Sequence, residues 1–167
     1  MKNVRKMVLS SLFASLCAVC SWIAVPLPPV YITLQTLALL LTLGTLGGKW
    51  GTVSIALYLL LGVVGLPVFA GFRGGAGALL DATGGFLWGF LVSGLVYWFL
   101  ESAGKLPAMV AAMAVCYFCG CLWFQIYADV GLQQAFLLCA APYLLPDALK
   151  LWIALRISNR LARHIPK

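Results

Sequence analysis

Six apolar stretches, at about 7–25, 33–48, 51–66, 84–101, 107–127 and 134–156, fill most of this 167-residue chain. A bilayer core takes roughly 20 apolar residues to cross as a helix, and backbone in lipid has to satisfy its own hydrogen bonds. Stretches of this length therefore predict an all-α integral membrane protein with six transmembrane helices. Charged residues are 9% of the chain and apolar ones 63%, against roughly 25% charge in a soluble domain. Residues 1–167 are expected to form a single six-helix membrane domain, with no length left for a soluble one.

The formal charge is +7, but the positions of the basic residues argue against a nucleic-acid surface. Lys2, Arg5, Lys6, Lys49, Lys105, Arg156, Arg160, Arg163 and Lys167 all fall on one side of a six-helix arrangement. The positive-inside rule makes that side cytoplasmic, with both termini on it. The segments 26–32, 67–83 and 128–133 then face outward. The basic start and apolar run 7–25 could pass for a signal peptide, but its length and the absence of a small-x-small cleavage site favour a first membrane helix.

Cysteines 17, 20, 116, 119, 121 and 139 all sit in apolar stretches, where thiols act as small packing residues. The cluster at 116, 119 and 121 lacks a second ligand pair, and the one histidine, His164, is far away, so no metal site and no cofactor are expected. Gly48-Lys49 and Gly104-Lys105 are followed by Trp50 and Leu106, so the chain has no Walker motif and ATP-driven work would need a partner. With no HExxH or GxSxG either, no enzyme chemistry is indicated.

Charge at membrane depth marks where function should lie. Asp147 and Lys150 fall inside the last stretch, three residues apart, which puts them on one helix face about 60° apart. An ionisable side chain there costs about 2.5 to 3.5 kcal/mol even on lenient insertion scales, so the two need each other or a ligand. Pro142 and Pro146 precede them and predict a helix broken just outside the pair. The segment 67–83 is glycine-rich yet apolar and is expected to fold back over a site as a lid. Within it Arg73 can clamp a carboxylate or snorkel to headgroups, Gly75 and its neighbouring glycines let backbone amides approach an anion, and Asp81 is a candidate partner for Arg73. Tyr31, Thr33, Gln35 and Thr36 add an aromatic face and neutral hydrogen-bonding groups at the mouth of the bundle.

At these residues the chain resembles the BioY family, the biotin-binding S components of energy-coupling factor (ECF) transporters. The resemblance rests on Thr33-Leu34-Gln35-Thr36-Leu37, on Gly62 to Pro67, on Phe72 to Phe86, and on Pro142 to Lys150 ending in Asp-x-x-Lys. Tyr31 stands where the family often has proline, and Asp81-Ala82 replaces a usual Gly-Pro. The resemblance implies capture of biotin from the outer side of a prokaryotic cell membrane, and docking on a membrane coupling subunit driven by ATP-binding-cassette (ABC) ATPases. It places substrate contacts at Asp147 and Lys150, and the residue chemistry above adds Arg73, Gln35, Tyr31, Asp81 and Gly75 as further candidates. It also implies a partner-binding Ala-x-x-x-Ala motif at Ala14 and Ala18, since small residues four apart let helices approach in lipid. An S component for another vitamin, or a small membrane enzyme, is the alternative.

Overall fold

The computed structural model describes residues 2–26 and 30–162; Pro28, Pro29, Arg163, His164 and Lys167 lie outside them. Apart from one short ribbon the chain is helical. Helix α1 (Lys2–Trp22) leads into an antiparallel ribbon of β1 (Ala24–Val25) and β2 (Ile32–Thr33), then α2 (Gln35–Val63). An irregular stretch with a 3-10 turn at Ala76–Leu79 precedes α3 (Gly84–Leu100), and α4 (Lys105–Ala128), α5 (Leu132–Cys139) and α6 (Leu144–Leu161) complete the order. Five segments are long and apolar enough to cross a membrane: Val4–Trp22, Gln35–Val63, Gly84–Ala103, Lys105–Ala128 and Leu132–Leu161.

The stretches 33–48 and 51–66 join into α2, but α2 is not straight. Gly47 sits at φ 79°, ψ 172° in its middle, a backbone region open essentially to glycine. Gln35 Nε2 donates to Tyr58 Oη at 2.7 Å, whereas a straight helix would hold those residues roughly 34 Å apart. The arms 35–46 and 48–63 therefore lie side by side. Opening the second arm, the Gly48 amide donates to Glu101 Oε2 at 2.6 Å, placing a carboxylate where a helix N-terminus favours negative charge.

The same contacts gather the basic residues at one end. Ser54 Oγ donates to Ser10 O at 2.8 Å, Ser10 Oγ reaches Trp50 O, and Gly44 abuts Ser158 near the end of α6. Lys6, Lys49, Lys105, Arg156 and Arg160 thus share one end of the bundle, and the ribbon, the segment 64–83 and α5 form the other.

Apolar side chains cover the outside of the bundle as well as its core. Phe99 and Ile126 are 80% and 79% exposed, while Ser10, Ser21, Ser54 and Ser93 are buried. Each buried serine has a backbone partner; Ser93 Oγ lies 2.6 Å from Gly89 O on its own helix and 2.7 Å from Ala112 O on α4. Such bonds join helices where lipid supplies no hydrophobic drive.

Helix α1 corrects one expectation. Ala14 and Ala18, expected to face a partner, are 0% and 7% exposed and belong to the internal core with Ala38, Leu39 and Tyr58. They let α1 and α2 approach within this chain. The outward face of α1 carries Val8, Ser11, Leu12, Ser15 and Val19 instead, with both serine hydroxyls bonded back to carbonyls four residues earlier.

The α2 turn gives a direct test. Gly47→Ala should lower stability by about 1 to 3 kcal/mol, because alanine is strained at that backbone geometry. Gly77→Ala, where a Cβ meets nothing and φ is unexceptional, should change it by less than about 0.5 kcal/mol. Equal unfolding midpoints for the two variants in detergent would refute this account of the turn.

Candidate functional site

The end opposite the basic residues holds a cavity of about 880 Å³, counted with the solvent-open space at its mouth. Its lining is largely apolar, with Leu39, Phe86, Leu87, Phe90 and Met113 among others, and polar groups also stand on the wall.

The first polar group is built on α6. The helix before it breaks as expected: α5 ends at Cys139, a 3-10 turn holds Pro142, and α6 restarts at Leu144. Pro146 is the third residue of α6, where a missing amide removes no intrahelical bond. Asp147 follows in the first turn and Lys150 one turn on, 4% and 8% exposed. Their side chains meet at 2.6 Å, Nζ to Oδ1.

Neighbouring helices complete that pair. Thr36 Oγ1 donates to Asp147 Oδ1 at 3.0 Å, and Tyr117 Oη donates to Oδ2 at 2.5 Å. Lys150 Nζ also donates to Thr33 O at 2.7 Å and Thr36 Oγ1 at 3.2 Å, so all three ammonium donors have partners. A buried ion pair is tolerable only when hydrogen bonds satisfy it in this way. Gln35, beside Thr36, lines the cavity and is steadied through Tyr58, whose hydroxyl lies 3.0 Å from Val68 O.

The second polar group centres on Arg73. Its Nε donates to Ala70 O at 3.2 Å, one terminal nitrogen is ion-paired with Asp81, and the other donates to Thr83 Oγ1 at 3.1 Å. The guanidinium lies over the Tyr31 ring, 5.7 Å from its centroid. Asp81 does not line the cavity; it holds Arg73, and its backbone carbonyl accepts a 2.9 Å bond from Trp123 Nε1 on α4. Of the sequence candidates, Asp147, Lys150, Gln35, Arg73 and Tyr31 come together around one space.

Two expectations are corrected. Gly75 is not in the cavity wall, and its amide donates to Gly62 O at 2.7 Å, so it has no donor to offer an anion. Nor is the glycine-rich segment a loose lid. Val68 and Phe69 are buried, the Val68 carbonyl accepts from Ser21 and Tyr58, and Trp22 Nε1 donates to Pro67 O at 2.7 Å. The segment packs into the bundle at Pro67 to Phe69, and its Phe69 and Arg73 reach the cavity.

Tyr117 was not singled out by sequence reasoning. The available signal was a phenol inside an otherwise apolar run on α4, and the question to ask was which distant hydroxyls a buried Asp147 would require. Cys116 and Cys139 also line the cavity. Among the described residues, no three His, Cys, Asp or Glu side chains converge as metal ligands.

With the geometry in place, the chain can be compared with known proteins. The BioY family model matches residues 1–167. The chain is 36% identical over 165 residues to the biotin transporter BioY of Thermotoga maritima, covering 96% of this chain and 97% of that protein. It is 34% identical over 159 residues to the probable biotin transporter BioY of Pyrococcus horikoshii, covering 95% and 97%. The crystal structure of an S-component for biotin from an ECF-type ABC transporter superposes with a TM-score of 0.89 at 24% identity, over 96% of this chain and 92% of that one. That likeness establishes the fold.

Proposed function

The chain belongs to the BioY family, and from that premise we propose that it is the biotin-binding S component of an ECF transporter, taking up the vitamin and performing no chemistry on it. The observation that carries this reading is that the Asp147–Lys150 pair and Arg73, each held by its own protein partners, stand on the wall of one largely apolar cavity. Biotin has a ureido ring that both donates and accepts, an apolar thioether ring, and a carboxylate tail. Asp147 can accept from ureido N–H groups and Lys150 can donate to the ureido oxygen. Phe86, Phe90 and Met113 would cover the thioether ring, with Gln35 and Tyr31 alongside and the tail beside Arg73. Since Lys150 has no idle donor, binding exchanges an internal partner for the ligand.

The pair can be tested for structure and binding separately. Removing one member of a buried pair strands the other, at a cost of about 3 to 5 kcal/mol, whereas a well-packed apolar replacement of both is often near neutral. Lys150→Ala and Asp147→Ala should each weaken biotin binding by at least about tenfold and lower stability. Asp147→Leu with Lys150→Met should recover stability but not binding. Biotin affinity close to that of the unaltered protein in the folded double variant would sink the site assignment.

The folded-back α2 supports six membrane crossings, its two arms counting separately, and the clustered basic residues support cytoplasmic termini in a prokaryotic cell membrane. A membrane-impermeant thiol reagent on intact cells, with the native cysteines replaced, should label a cysteine at Gly131 and not one at Lys105. The opposite pattern would refute the orientation.

The partners are a membrane coupling subunit and its ABC ATPases. Because Ala14 and Ala18 are internal, docking through α1 has to use its other face, where Ser11 and Ser15 are the small residues four apart. Ser15→Trp should leave biotin affinity unchanged and abolish co-purification with the coupling module, while Ala14→Trp should disrupt the fold and binding together. An intact complex with Ser15→Trp would exclude this face.

A further inference from the structure

The cavity wall carries two cationic side chains, Lys150 and Arg73, and among the described lining residues there is no third Lys, Arg or His. Each cation already has its own carboxylate: Asp147 for Lys150 and Asp81 for Arg73. Neither arrangement is loose. Lys150 has all three donors engaged, and each guanidinium nitrogen of Arg73 has a protein partner. Asp81 is itself fixed, with Oδ1 accepting from the Ala82 amide at 2.7 Å and from Tyr127 Oη at 3.3 Å.

The wall therefore presents no uncompensated positive charge. An anion brought beside Arg73 also meets Asp81 one group further on, and that repulsion offsets much of the attraction. The Arg73 and Asp81 side chains are 34% and 38% exposed, so solvent and salt screen much of what remains. What Arg73 keeps for a ligand is hydrogen bonding. A guanidinium has five N–H groups, and three are engaged here. A carboxylate oxygen and an amide carbonyl oxygen both accept such a bond, and the partial exposure at Arg73 leaves a way out for whatever is attached beyond the carbonyl.

We infer that this site binds biotin derivatives whose carboxyl group is a neutral amide, such as biotinamide and biotinyl-lysine, nearly as well as biotin itself. The inference rests on the proposed placement of the ureido ring at Asp147 and the tail at Arg73. It differs from what a carboxylate clamp with a free arginine would do, since that site would reject the amides.

The experiment is calorimetric titration of the full-length protein in detergent, at physiological salt, with biotin and with biotinamide. The two dissociation constants should agree within about fivefold; a wider gap in favour of biotin overturns the inference. Asp81→Asn removes the compensating charge and should raise the preference for biotin over biotinamide by about fivefold or more, and an unchanged preference also overturns it. Should that variant fail to fold, the comparison in the unaltered protein decides alone. Tight biotin binding with rejection of biotinamide leaves the vitamin assignment standing, whereas failure of both ligands to bind removes that assignment together with the inference.

Discussion

A carboxylate and an ammonium buried together on α6 constrain much of the ligand end of the molecule. Removing either ion from water costs several kcal/mol, and mutual attraction offsets this only when the remaining lone pairs and protons are also matched. Asp147 and Lys150 take their partners from three places: the end of the β-ribbon at Thr33, the first turn of α2 at Thr36, and α4 at Tyr117. Those elements have to converge on the start of α6 for the pair to exist. The helix break at 140–143 and the tight α2 turn let them do so.

The same rule, that polar groups in lipid find internal partners, explains features that look unrelated, with Thr45 Oγ1 on α2 the exception among the described residues. Serines at helix contacts bond to carbonyls of their own helix or a neighbour, the Gly48 amide takes a side-chain carboxylate, and the Val68 carbonyl draws hydroxyls from α1 and α2. Irregular backbone at 64–83 takes such anchors at Pro67 and Val68.

What the sequence made legible followed from strong, local signals. Long apolar runs foretold the helical membrane fold, and the prolines at 142 and 146 together with the i, i+3 charges foretold the broken helix and its pair. The two arms of α2 were legible as the separate stretches 33–48 and 51–66, but the form of their junction was not, because the turn is compressed into one glycine conformation at Gly47 with no polar loop to mark it. Tyr117 escaped because a phenol in an apolar run carries no periodic signal; its importance depends on a contact with a residue 30 positions away. The alanines of α1 were read correctly as small packing residues and assigned to the wrong neighbour, since small spacing says that a helix approaches closely but not which helix. Gly75 illustrates a similar gap: glycine marks unusual backbone, here φ 90°, without saying where its amide points.

An empty site of this kind has to be stable without its ligand, and that requirement shapes how it can bind. A buried charge left waiting for a ligand would destabilise the empty protein, so Lys150 is given Asp147 from within the chain, and the partly exposed Arg73 is likewise paired with Asp81. Affinity then comes from the difference between two satisfied networks and not from filling a vacant one, with the apolar area covered by the ligand adding to it. On the proposed site, Asp81, which holds Arg73 from outside the cavity wall, would influence binding through the partner it releases or retains. Selectivity is thereby set as much by internal pairing as by the side chains that would touch the ligand.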